Sequence, residues 1–65
     1  MPSSVIASFH YNAAQHALDV VFNSGNVYRY IDVPEDVYVA MKNAFSKGTF
    51  LNTQIKPKYR YRKIK

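Results

Sequence analysis

Six cations and two tyrosines fill most of the last ten residues, Lys56-Pro57-Lys58-Tyr59-Arg60-Tyr61-Arg62-Lys63-Ile64-Lys65, and no acid interrupts them. On an extended strand, alternate residues stand about 6.6 Å apart on one face, twice the rise per residue. Lys58, Arg60 and Arg62 would then form a row able to follow a phosphate backbone, with Lys56 and Lys63 flanking it. Tyr59 and Tyr61 would face the other way, either docking the strand on a core or offering rings on which bases stack. A final strand whose cations are simply solvated is the alternative, and the residues alone leave both readings open.

Tyr28-Arg29-Tyr30 repeats the tripeptide Tyr59-Arg60-Tyr61. Alternation puts Tyr28 and Tyr30 on one face and Val27, Arg29 and Ile31 on the other. Paired strand aromatics usually stabilise sheets, which favours a packing role. The functional alternative is an exposed stacking platform, with Arg29 packing or pairing on the reverse face. The candidate nucleic-acid-binding residues are thus Tyr28, Arg29, Tyr30, Lys56, Lys58, Tyr59, Arg60, Tyr61, Arg62 and Lys63.

Other chemistry is poorly served. Asp32, Glu35 and Asp36 lack the spacing of convergent ligands and suit the positive start of a helix better. His10 and His16 have no cysteine to complete a zinc site. A nucleophile elbow of the form Gly-x-Ser-x-Gly is missing, and with only Gly25 and Gly48 there is no phosphate-cradling loop. The reading is non-catalytic, with no catalytic residue, no metal and no cofactor.

The elements that must position these residues form one small domain spanning 1–65. A chain of 65 residues hides only about 60% of the surface its unfolded form exposes. Without cysteine it has no disulfide to help, so packing of its six tyrosines and four phenylalanines must hold it. Met1 to Ser8 lacks a basic start and an unbroken apolar stretch, and the longest apolar run, Val37 to Met41, is far short of a membrane span. These features favour a soluble, cytoplasmic protein with no membrane partner. Charge is distributed unevenly: one arginine stands against four acids up to Met41, whereas Lys42 to Lys65 holds eight bases and no acid. That polarity points to a polyanionic partner.

Ser4 to Tyr11 alternates, with Val5, Ala7, Phe9 and Tyr11 on one side and Ile6, Ser8 and His10 on the other, as a half-buried strand does. After a turn at Asn12 to His16, Ala17 to Phe22 and Val27 to Ile31 read as strands joined by the hairpin loop Asn23-Ser24-Gly25-Asn26. Pro34 opens a helix running to Ala44, whose apolar face is Val37, Ala40, Met41 and Ala44. A short second helical segment surrounds Phe50, Pro57 ends it, and Lys58 to Ile64 is extended.

The ordered set Ser3-Ser4, Ile6, Tyr11, Leu18-x-Val20-x-Phe22, Gly25-x-x-Tyr28-x-Tyr30-x-x-Val33-Pro34, Tyr38, Ser46-Lys47-Gly48, Phe50, Asn52, Ile55 and a closing Tyr-x-Tyr strongly resembles the KTSC domain family. That family is named for the C-terminus of some lysyl-tRNA synthetases and also occurs as small free-standing proteins; its hallmark is the central Tyr-x-Tyr, here Tyr28 and Tyr30. The resemblance implies a binding module without a fused catalytic domain, and RNA as the ligand suggested by the synthetase context. The fold expected is α+β: a small antiparallel sheet of three to four strands with one main helix packed on it and a short second helical segment, a small SH3-like barrel being the alternative. The function expected is non-catalytic binding of RNA or other nucleic acid, the alternative being interaction with an acidic protein partner or a second copy of the chain.

Overall fold

Valine, phenylalanine and tyrosine crowd the runs on either side of Asn23-Ser24-Gly25-Asn26. In the computed structural model, which describes residues 6–65, these runs are strands β2 (Ala17–Phe22) and β3 (Val27–Tyr30). The turn between them closes through Phe22 N–H to the Asn26 carbonyl and Gly25 N–H to the Phe22 carbonyl, both at 2.9 Å. Gly25 sits at φ +97°, where a side chain would be strained. Strand β1 (Ile6–Asn12) pairs with β2, and β4 (Tyr61–Lys63) pairs with β3, all antiparallel, in the order β1-β2-β3-β4. The sheet is an open meander whose edges are β1 and β4; the barrel alternative is excluded. Of the expected first strand, Ser4 and Val5 lie outside the described residues.

One detail reverses an expectation. Ile6 faces Phe22 and Ser8 faces Val21, so two steps on β1 match one on β2, and Ala7 is the extra residue of a β-bulge. The bulge turns Ile6 onto the face of Phe9 and Tyr11 and leaves Ala7 exposed, the opposite of simple alternation. The larger side chain thereby reaches the core.

Pro34, with ψ 153°, is the extended cap that precedes helix α1 (Glu35–Lys42). The helix is shorter than the expected run to Ala44 because the Ala44 N–H bonds three residues back, to Met41, and tightens the last turn. Its inner face is Val37, Tyr38 and Met41, while Ala40 is exposed. Tyr38 takes that place because its ring covers Phe9 edge-on at 5.9 Å and stacks on Tyr11 at 5.0 Å, and a ring buries far more area than a methyl group. Helix α2 (Lys47–Phe50) starts at Ser46, whose Oγ accepts from the Thr49 N–H at 3.3 Å. It passes into a π-helical turn, Leu51–Ile55, marked by the Lys56 N–H bonding five residues back to Leu51 at 2.9 Å.

Leu18, Val20 and Tyr30 from the sheet meet Val33, Met41, Leu51 and Ile55 from the helical side in one core, so a single face of the sheet is covered. The domain is a four-stranded antiparallel sheet with a helical layer on one face, as the α+β expectation had it.

Candidate nucleic-acid interface

Residues directly opposite each other across a sheet share a face, so the strand registers assign every candidate side chain to one side. The helix-facing side carries Phe9, Val20, Tyr28 and Lys63 in one row and Tyr11, Leu18, Tyr30 and Tyr61 in the next. The opposite side carries a row that crosses all four strands: His10, Asp19, Arg29 and Arg62.

The C-terminal run is paired beyond β4 itself. Ile31 N–H donates to the Arg60 carbonyl at 2.9 Å, Ile64 N–H to the Val27 carbonyl at 2.8 Å, and Val27 N–H to the Lys65 carbonyl at 2.9 Å. Arg60 and Arg62 therefore alternate onto the open face, as expected. Lys58 does not join them. It belongs to the turn after the π-helical stretch, where its N–H bonds to the Ile55 carbonyl at 3.1 Å and its Nζ to Gln54 Oε1 at 3.2 Å. The expected three-residue row is thus two arginines, because the wider helical turn carries the chain past Pro57 before it straightens. Lys56 is exposed in the same turn, and Lys63 projects from the helix-facing side beside Tyr28.

Arg29 lies on the reverse face from the tyrosines and forks onto Asp19, with Nε to Oδ1 at 2.8 Å and Nη2 to Oδ2 at 3.1 Å. The hydrogen bond to Asp19, and then its charge, raise the Arg29 pKa above the already high ordinary value. It is the sole ion pair among the described residues, and it spends one of the three arginines on the open face.

The tyrosines divide by position. Tyr30 is 1% exposed and forms part of the core, so it offers no face to a ligand. Burial, followed by the proximity of Tyr61 and Tyr28, raises its pKa. Tyr59, half-buried, docks the start of the C-terminal run on the core. Tyr28 is half-buried, held edge-on by Phe22 at 5.2 Å and stacked by Tyr61 at 5.0 Å and 23°. Tyr61 itself is 55% exposed on the edge strand. The pair that could meet a ligand is Tyr28–Tyr61, joined across neighbouring strands, rather than the expected Tyr28–Tyr30.

Comparison with known proteins accounts for this frame. The KTSC domain model matches residues 2–59. The chain belongs to the KTSC domain family. A crystal structure of a KTSC domain protein from Yersinia pestis superposes with a TM-score of 0.91 at 35% identity, covering 100% of this chain and 92% of that one. A protein of Stutzerimonas stutzeri is 42% identical over 98% of this chain and 92% of its own length. A lysine–tRNA ligase of Nostoc punctiforme is 39% identical over 94% of this chain, which spans only 11% of the ligase. The KTSC match ends at Tyr59, so the basic strand β4 lies beyond the residues that the family model covers.

Sequence reasoning gave no place to Phe45. It lies fully exposed between α1 and α2 and lines a shallow open groove with Ala44, Phe50 and Thr53. Its position in the break of the helical pattern left no periodicity to mark it. Among the described residues no helix is long and apolar enough to cross a membrane, and no group of three His, Cys, Asp or Glu could hold a metal ion.

Proposed function

We propose that this KTSC domain is a non-catalytic module that binds RNA, with the basic C-terminal strand as its principal contact. The observation that carries this reading is the state of that strand: an exposed sheet edge on which Arg60, Arg62 and Lys63 form no ion pair among the described residues, while the Arg29 charge on the same sheet is already met by Asp19. Extended cations of this kind hold a phosphate backbone by releasing its counterions, with affinity that depends on salt more than on sequence. The lysine–tRNA ligases among its relatives, named for an RNA substrate, favour RNA over DNA as the polyanion. Its cations and rings converge on an open edge strand, a geometry that suits holding an extended polymer.

Fluorescence anisotropy with a labelled single-stranded RNA tests the proposal. With four to six phosphates neutralised, affinity is expected to fall roughly 50- to 300-fold between 50 and 200 mM salt. The Arg60→Ala/Arg62→Ala variant should bind more weakly and lower the logarithmic salt slope by about 1.4. Absence of binding at 50 mM salt would refute the RNA reading. It would leave an acidic extended protein segment, added as a fifth strand at the β4 edge, as the working alternative.

A further inference from the structure

Tyr30 and Tyr61 face each other across β3 and β4, yet one is 1% exposed and the other 55%. The helical layer covers the first and stops short of the second. Tyr61 lies against Tyr28 at 5.0 Å and 23° and leans on Tyr30 at 5.6 Å and 41°. Phe22 closes the far side of Tyr28 at 5.2 Å and 83°. Stacking on Tyr28 occupies one face of the Tyr61 ring, so the exposed area belongs to the other face and the hydroxyl edge. The ring is held from behind by two others, Tyr28 and Tyr30, and open in front. Few rotamers are left for a ligand to freeze out, which lowers the entropic cost of binding to it.

Charge surrounds this ring on the same strand. Arg60 and Arg62 are its chain neighbours and Lys63 lies two residues on, on its own face. Because β4 is an edge strand, side chains from both faces can reach its outer rim.

We infer that this site selects single-stranded nucleic acid over duplex: one unpaired base stacks on the outer face of Tyr61 while Arg60, Arg62 and Lys63 hold the flanking phosphates. The inference rests on the reading of β4 as the RNA contact and adds the ligand's strandedness to it. A duplex presents phosphates to the same cations but keeps its base faces stacked on one another, so the ring gains nothing from it. A lid role, in which Tyr61 merely shields Tyr28 from water, would contribute to stability and be indifferent to bases.

The test compares a labelled single-stranded RNA, an oligonucleotide of equal length and charge whose bases are abasic sites, and a blunt duplex. Wild type should bind the based single strand roughly 5- to 150-fold more tightly than the abasic one, the range for one base–aromatic stack. Tyr61→Leu should erase that preference and leave the salt slope unchanged, while Tyr61→Phe should keep it. In Tyr61→Trp, which gives the chain its sole tryptophan, the based strand should quench the indole fluorescence and the abasic strand should not. Equal binding of based and abasic strands by wild type would overturn the inference while leaving β4 as an RNA contact. Failure of every probe to bind at 50 mM salt would overturn both readings.

Discussion

The two edges of one sheet face carry the same kind of side chain and treat it differently. At the β1 edge, Phe9 and Tyr11 lie under Tyr38 of α1, with the Lys42 Nζ 5.5 Å above the Tyr38 ring. At the β4 edge, Phe22, Tyr28 and Tyr61 form a similar cluster with no helix over its outer member. Charge follows the same division, since Glu35 and Asp36 start the helix near Tyr11 whereas β4 is basic. The outer ring of an aromatic cluster is half-buried or exposed according to what the next element covers, and here α1 covers only one edge.

The sharpest way to break this comparison is the pair Tyr30 and Tyr61. Tyr30→Ala empties a core site and should cost about 3 to 5 kcal/mol, much of the roughly 3 to 10 kcal/mol available to a domain of this size. Tyr61→Ala, directly opposite, leaves no core cavity but loses two ring pairs and should cost about 1 to 3 kcal/mol. Urea unfolding of both variants reads the difference, and equal losses would mean that the β4 edge is as structural as the core.

Next in size is the covered edge. Tyr38→Leu keeps apolar bulk but loses two ring pairs, each about 0.5 to 1.5 kcal/mol, so a loss of about 1 to 3 kcal/mol in urea unfolding is expected, with RNA binding unaltered.

Alkaline titration reports on two enclosed phenols, one at the covered edge and one in the core. Burial, then the charges of Glu35 and Asp36, raise the Tyr11 pKa, and burial raises that of Tyr30. A phenol whose folded pKa lies above its unfolded value of about 10 contributes stability that is complete below that pH and is lost as pH climbs through the folded value. Thermal stability should therefore fall above about pH 10, and Tyr11→Phe and Tyr30→Phe should each flatten that limb.

The smallest change lies on the opposite face. Asp19→Asn should cost under about 1 kcal/mol in stability, as partly exposed ion pairs do. It releases the Arg29 guanidinium on the face of Arg62, so RNA affinity at low salt should rise and the logarithmic salt slope should steepen by about 0.7. Both ring clusters remain intact, so a change in base preference would contradict the assignment of stacking to Tyr61.

These contrasts explain what the residues reveal without a structure. The β2–β3 hairpin and the start of α1 follow from local rules, the residues of the turn at Gly25 and the proline at Pro34, and both lie where expected. Errors fall where a neighbour or an inserted residue decides. Ile6 changes face because of a bulge at Ala7, a fact about register against β2 that alternation within β1 cannot contain. Tyr38 displaces Ala40 because rings on β1 await it. Lys58 leaves the cationic row because the π-helical turn takes one more residue per turn than an α-helix would. The candidate site was legible as a basic strand with tyrosines. Which tyrosine stays exposed depended on how far the helical layer extends, and no local pattern encodes that.

Val33, the residue before the cap of α1, is gripped from two directions. Its N–H donates to the His16 carbonyl at 2.8 Å, and its own carbonyl accepts the Tyr11 hydroxyl at 2.6 Å. One partner lies on β1 and the other in the turn that leads into β2, so the two bonds tie the start of α1 to the first hairpin at two points. The consequence is a latch between helix and hairpin: Tyr11→Phe opens one of its two fastenings and should lower stability in urea unfolding by about 0.5 to 1.5 kcal/mol.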